Sequence, residues 1–308
     1  MRWVGIDEAG YGPNLGPLVM TAVTAEGPGD RRPDLWSDLA STIDRAGGLP
    51  DRLWVDDSKK VYAAGKGLDR LESAVRAVLE ATGASVPQTL GGWFEALGAG
   101  SLADVELHHW EPTEQTSEST GKSRDSRPFE GSTWRIVSIR SIVVGPERFN
   151  ADLERKGNKS LAHFESFRRL LGFVWNDRGD CIGVRSDKHG GRHYYFDPLG
   201  RAFPDCWIDR GEEGPELSRY VLRKDSRWLE LSLVPRADAD DGLVALASMV
   251  SKFLRECWMR SFNAHWQAIV PDLKPTAGYP VDAKRFREVI EPLCEARGLT
   301  LRQWWRMK

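Results

Sequence analysis

Residues 2–8, "RWVGIDE", and 17–25, "PLVMTAVTA", are two β-favouring apolar runs separated by a Gly/Pro-rich connection, "AGYGPNLG". That spacing admits a strand, a tight turn and a return strand, and little else, so the chain must begin as a sheet. The pair reads as the edge of that sheet. The opening also carries charge in a revealing place: Asp7 and Glu8 stand side by side where the first strand meets the turn. Successive strand side chains point to opposite faces, so these two carboxylates share one site only if the strand ends or bends between them.

Downstream the pattern mixes helices and strands. In "LDRLESAVRAVLEA", Leu68, Leu71, Val75, Val78 and Leu79 fall on one helical face, with Gly83 as a stop. Residues 84–133 read as a variable insertion, and the Ser/Thr/Glu-rich run at 111–132 as a mobile surface loop. Order returns with a strand at 134–144, a helix within 160–176, and the short strand "CIGVRSD" ending in Asp187. "RHYYF", "YVLRK" and "WLELSLVP" read as further strands. From Leu243 the apolar residues Leu246, Met249, Val250, Phe253, Leu254, Cys257 and Trp258 recur at helical spacing, and another helix is expected at 282–297. The fold class is therefore α/β, a mixed sheet flanked by helices with a C-terminal helical extension: residues 1–242 as one domain and 243–308 packed on it.

Composition narrows the function less than the motifs do. No run approaches the roughly 18 apolar residues of a membrane span and no signal sequence opens the chain, so the expected location is cytoplasmic. Cys181, Cys206, Cys257 and Cys294 form no CxxC pair, which argues for reduced thiols rather than a zinc site or disulfides. A formal net charge of −2 excludes binding nucleic acid by bulk positive charge but leaves room for a local basic patch. The 13 tryptophans, Trp304 and Trp305 among them, are read as packing residues.

Gly10, Gly12 and Gly16 superficially suggest a dinucleotide-binding loop. Their spacing is GxGxxxG, Pro13 and Pro17 flank them, and a strand follows where that loop needs a helix. Asp7 and Glu8 would also repel a pyrophosphate. A divalent cation reverses the objection, since Mg²⁺ or Mn²⁺ seeks carboxylate oxygens and bridges them to phosphate. An exposed acidic pair at a strand end fits these two residues equally well. A two-metal site needs more carboxylates. Asp187 closes a strand before a Gly-rich turn, with Asp180 and Asp197 as competitors. Asp238 precedes the long helix, which Asp240 or Asp241 is placed to cap.

In order along the chain, "GIDEAGYGPNLGPLVMTAV", "DDSKKV" at 56–61, "ADADDGLVALASMVSKFLRE" and "KPTAGYP" resemble the motifs of type 2 ribonucleases H, the ribonuclease HII and HIII family. The resemblance covers most of 1–83 and 134–308, and aligns Asp238, Ser248, Lys252 and Arg255 with family positions. It implies an RNase H-like fold with a sheet of about five strands. It also implies endonucleolytic hydrolysis of the RNA strand of RNA–DNA hybrids, or cleavage at ribonucleotides embedded in DNA, with two Mg²⁺ or Mn²⁺ ions held by Asp7, Glu8, Asp187 and Asp238. The helical stretch before residue 180 supports Asp187 as the third carboxylate. The alternatives are a nuclease of this fold with another nucleic-acid substrate, or a non-catalytic nucleic-acid-binding relative.

The same resemblance makes the Gly10, Tyr11 and Gly12 turn a site for a ribose hydroxyl, and Lys59, Lys60, Lys252, Arg255 and Tyr279, with Lys274, candidates for substrate contact. At position 11 the family typically carries arginine, and after Gly278-Tyr279 its Gly-Thr is replaced by Pro280 and Val281. His189 and His193 read as surface or hydrogen-bonded histidines. The expected partner is nucleic acid and the expected state a monomer.

Overall fold

A computed structural model describes residues 1–63, 67–98, 129–131, 133–177 and 179–307. The opening runs form β1 (Arg2–Ala9) and β2 (Leu18–Glu26), antiparallel, with Asp7 opposite Thr21. Short elements follow: α1 (Leu35–Asp38), then β3 (Ile43–Asp44) and β4 (Leu53–Trp54), which pair with each other only. Next come α2 (Ser58–Ala63), α3 (Gly67–Ala81) and α4 (Leu90–Leu97). Then the chain runs through β5 (Arg135–Val144), α5 (Pro146–Lys156), α6 (Lys159–Asn176), β6 (Cys181–Asp187), α7 (Phe196–Ala202), β7 (Trp207–Glu213), β8 (Ser218–Lys224) and β9 (Arg227–Val234). It closes with α8 (Ala237–Asp240), α9 (Gly242–Ile269), α10 (Pro280–Glu295) and α11 (Leu301–Trp304).

Seven strands form one mixed sheet in the order β5-β2-β1-β6-β9-β8-β7. The opening hairpin is thus inside the sheet and not at its edge. The reason is legible in β2, which is buried at every position except its last, as a strand covered on both faces must be. Two further departures lie near the far edge. "RHYYF" is no strand: Phe196 begins α7, and buried Tyr195, whose N–H donates to the Tyr220 hydroxyl at 2.9 Å, fills a corner while Tyr194 and Phe196 stay exposed. Conversely β7, "WIDRGEE", is mostly exposed and carried no apolar signal to announce it. With it the sheet reaches seven strands instead of about five.

Side-chain alternation along β1 divides the core. Val4 and Ile6 pack under α6 with Phe164 and Phe167, whereas Trp3 joins the cluster of α9, α3 and α4 on the other face. Helix α9 sits so close that a Cβ on Gly5 would lie 2.2 Å from the backbone carbon of Leu243, so only glycine fits there. Asp241 caps α9, accepting from Leu243 N (3.0 Å) and Val244 N (3.1 Å), and Arg32 ties that carboxylate to the carbonyls of Val4 and Gly183. This knot fixes the start of α9 over β1 and β6. Within the expected insertion, α4 contributes Trp93, Phe94 and Leu97 to the core, whereas most of the expected loop at 111–132 lies outside the described residues. Trp258, Trp266 and Trp304 are buried, as packing residues should be. Among the described residues no helix is long and apolar enough to cross a membrane.

Candidate active site

Strands β1, β6 and β9 are parallel, so their C-terminal ends open on the same edge of the sheet. Ile6 pairs with Ser186 and Asp187 with Val234, which sets Asp7 and Asp187 at adjoining strand ends. Beyond β9 the chain turns through Arg236, in left-handed backbone at φ 55°, into α8, whose first turn carries Asp238. Two strand ends and one short helix therefore deliver Asp7, Glu8, Asp187 and Asp238 to the same edge of the sheet. Of the competitors, Asp180 and Asp197 are exposed at other ends of their elements, and Asp241 is the cap of α9.

The strand does not end or bend between Asp7 and Glu8; β1 continues to Ala9. The two carboxylates therefore leave on opposite faces of the last strand residues, and meet only because the strand stops just beyond them. Asp7 is 5% exposed and turns toward α9, where it faces Ser248, whose hydroxyl donates to Ser58 Oγ at 3.0 Å. Glu8 turns toward α6. Its Oε1 lies 3.6 Å from His163 Nε2, too long for a hydrogen bond, and its Oε2 is buried without a partner.

The electrostatics show that the four groups sense one another. Burial, then Glu8, and also Asp187 and Asp238, raise the Asp7 carboxyl well above the usual carboxylate range, opposed by the nearby Ser248 hydroxyl. Asp187 is pushed up to about 6 by burial and Glu8, opposed by the Lys188 N–H at 2.9 Å and the Ala237 N–H at 3.4 Å. Burial and the Asp57 charge raise Asp238, while Lys59 lowers it. Among the described residues no three acidic, histidine or cysteine side chains converge into a ready cage for a metal ion. The donor set nevertheless suits a hard divalent cation: oxygen ligands only, with Asp7, Asp187 and Asp238 raised by burial and one Glu8 oxygen buried without a partner.

The candidate substrate residues separate into two groups. Around the turn, Gly10 takes φ +91°, and a Cβ there would collide with the Pro17 carbonyl at 2.5 Å. The Arg306 guanidinium donates to the carbonyls of Gly10 and Pro13, Asn14 N donates to Gly278 O at 2.8 Å, and exposed Tyr279 lies beside Gly12. Lys59 is exposed near Asp238. The others are engaged elsewhere. Lys60 pairs with Asp56 at 3.0 Å, and Lys252 pairs with Glu256 at 2.8 Å under the Tyr62 ring. Arg255 is 1% exposed and not an open phosphate contact. It pairs with Glu256 and donates to Ala277 O at 2.8 Å, bracing the glycine turn from behind. Lys274 is exposed on the loop before α10.

Tyr11 lies edge-on to His163, ring centroids 4.7 Å apart, with Lys159 Nζ 4.8 Å above its ring. A Cβ on Gly190 would come within 2.7 Å of its hydroxyl, so the loop after β6 closes over it. His189 is buried, its Nε2 3.3 Å from the Ser186 hydroxyl. Sequence reading missed Asp57, His163, Lys159 and Arg306. Only Asp57 carried a signal, as the neighbour of the "DSKK" residues; the others are brought in by packing of α6 and the C-terminal tail.

No family model and no curated protein matches this chain. Among solved structures it is similar to ribonuclease H2 from Pyrococcus horikoshii OT3, at 17% identity over 99% of this chain and 92% of that one, with a TM-score of 0.44. It is also similar to the RNase HII of a PCNA:RNase HII complex from Archaeoglobus fulgidus, at 17% identity over 100% of this chain and 95% of that one, TM-score 0.41. A third is RNase H3 from Aquifex aeolicus, at 12% identity over 99% of this chain and 70% of that one, TM-score 0.39.

Proposed function

We propose that this chain is a divalent-metal-dependent ribonuclease H of type 2, hydrolysing the RNA strand of RNA–DNA hybrids or cutting at ribonucleotides embedded in duplex DNA. One observation carries the reading: the ends of the parallel strands β1 and β6, with α8 after β9, gather four carboxylates at one edge, where burial and neighbouring charge raise Asp7, Asp187 and Asp238. A chain that only bound nucleic acid would gain nothing from charge that repels phosphate. The order of the sequence motifs points the same way.

Mg²⁺ or Mn²⁺ on Asp7, Glu8, Asp187 and Asp238 supplies Lewis-acid stabilisation of phosphate oxygens and a more acidic water. The protein's own residues do the positioning. Ser248 stands beside Asp7, and the N–H groups of Lys188 and Ala237 hold Asp187. His163 and Tyr11 wall the Glu8 side, while the Gly10–Gly12 turn presents its backbone toward a sugar hydroxyl. Lys59 provides an exposed cation for a phosphate beside Asp238. Residues 243–308 supply Ser248 beside Asp7 and Arg255 behind the glycine turn, so they work as part of the same unit as 1–242. Tyr11 favours a second reading in one respect: folded against His163, it offers no charge at the turn, so the preferred duplex can differ within this fold.

The test uses three labelled duplexes with Mg²⁺ or Mn²⁺: a full RNA–DNA hybrid, DNA with one embedded ribonucleotide, and all-DNA. The reading expects cleavage of one of the first two. Intact hybrid and intact ribonucleotide-containing DNA under both metals would sink it, and cleavage of all-DNA alone would select the second reading.

A further inference from the structure

Beyond the carboxylates, on the α6 side of the sheet, α5 and α6 face α7 and β7 across an open groove of about 830 Å³. Its lining holds six basic side chains, Arg155, Lys156, Arg168, Arg192, Arg201 and Arg210, against the acidic Glu165, Asp197 and Glu213. Two of those three acids are already engaged. Glu165 pairs with Arg168 and with Lys156 at 3.4 Å, while Glu213 accepts from Tyr195 N at 3.1 Å and from Phe196 N at 3.2 Å and lies 3.8 Å from Arg210; Arg155 pairs with Asp152 outside the groove. The lining still holds more cations than acids, with Arg192 and Arg201 carrying the surplus, on a chain whose net charge is −2.

Aromatic rings stand among these cations. Tyr194 is 67% exposed and Phe196 37%, with Arg210 5.5 Å above the Phe196 ring. Exposed flat rings between arginines match unpaired bases and their phosphates; a duplex hides its base faces and needs no such rings. Arg192 stands between the groove and the residues around Tyr11. It lines the groove, donates to Ser160 at the start of α6 at 3.1 Å, and has its charge felt at Tyr11 and His189.

We infer that this groove binds single-stranded nucleic acid, with phosphates on Arg192, Arg201 and Arg210 and bases on Tyr194 and Phe196. It leads the unpaired continuation of a substrate strand to or from the carboxylates. That last role rests on the nuclease reading; the binding itself does not.

The test is fluorescence polarisation of the full chain in EDTA, where nothing is cut, with a labelled thymidine strand of about 20 nucleotides, long enough to exceed typical single-strand sites. An abasic strand of the same length and a polyglutamate peptide are the comparisons. Tyr194→Ala is expected to weaken thymidine binding about fivefold or more, one stacked base's worth, and to leave the abasic strand unaffected. Arg201→Ala with Arg210→Ala is expected to lower the slope of log affinity on log salt by about 1.4, roughly 0.7 per phosphate lost. All three side chains are exposed, so folding is not at stake, and cleavage of a short blunt hybrid should be unchanged. Polyglutamate binding as tightly as the thymidine strand would overturn the inference in favour of an acidic protein partner. Unaltered thymidine binding in both variants would overturn it outright. A wild-type chain that binds the strand through the groove but cuts no hybrid would sink the nuclease reading and leave the groove's ligand standing.

Discussion

Replacing Asp187 by asparagine should make the metal-free protein more stable at neutral pH. In the folded state its carboxyl is raised from 3.8 to about 6, by burial first and Glu8 second. Between those values the folded chain holds a proton that the unfolded chain releases, so stability attributable to Asp187 falls as pH rises. The cost is absent below about pH 4 and complete above about pH 6. The full shift corresponds to about 3 kcal/mol, and partial solvent exposure reduces that to about 2. Asparagine keeps an oxygen for the N–H groups of Lys188 and Ala237 and removes the charge. For 308 residues, an unfolding entropy of about 2.1 cal/mol/K per residue turns 2 kcal/mol into a rise of about 3 °C in Tm. Thermal unfolding of wild type and Asp187→Asn in EDTA, from acid to neutral pH, reads this directly. The difference should be near zero at the acid end and grow to its full size by pH 7. Adding Mn²⁺ should reverse the order, because the wild type gains binding energy that the variant has lost. A variant that melts at or below the wild type in EDTA at pH 7, or shows an equal Mn²⁺-induced shift, refutes the carboxylate cluster as a site of stored repulsion awaiting a cation.

Asp7→Asn should lower hydrolysis by about a thousandfold, several kcal/mol of lost metal-borne stabilisation, while circular dichroism stays native. Gly5→Ala should cost about 3 kcal/mol or more in urea unfolding, because its Cβ would press into the backbone of α9 at Leu243. Arg255→Ala should cost about 3 kcal/mol by the same measure, since it strips a buried partner from Glu256 and a brace from the Ala277 carbonyl. If Arg255 instead contacts substrate, the variant will fold normally and lose only affinity. Gly10→Ala should destabilise by about 1 kcal/mol or more, as alanine is strained at φ +91° and meets the Pro17 carbonyl.

Local signals were enough where one segment decides its own structure. The period-2 run of β1, the helical stripe of α9 and the strand ending in Asp187 were all readable, because burial on one face or two leaves a repeat in the residues themselves. Asp7, Glu8 and Asp187 were legible as candidates for the same reason: they sit where apolar runs stop. Local reading failed on β7, whose exposed edge carries no apolar repeat, and on "RHYYF", whose Tyr195 fills a corner between elements distant in sequence.

Tertiary structure alone decided how these candidates relate. Whether the opening hairpin is an edge or a centre depends on β5 and β6 arriving on either side, which no property of residues 2–26 records. Arg255 resembles a phosphate ligand by its motif, yet a buried guanidinium must be paired, and Glu256 with the carbonyl of Ala277 claim it. His163 and Lys159 come to Glu8 and Tyr11 only because α6 packs over β2 and β5 beside the end of β1. The sequence by itself determined which carboxylates stand at strand ends, since alternation and strand length are local. Which of them share a field, and which cations remain open beside them, was set by the parallel register of β1, β6 and β9, a property of chain segments that meet only in the folded protein.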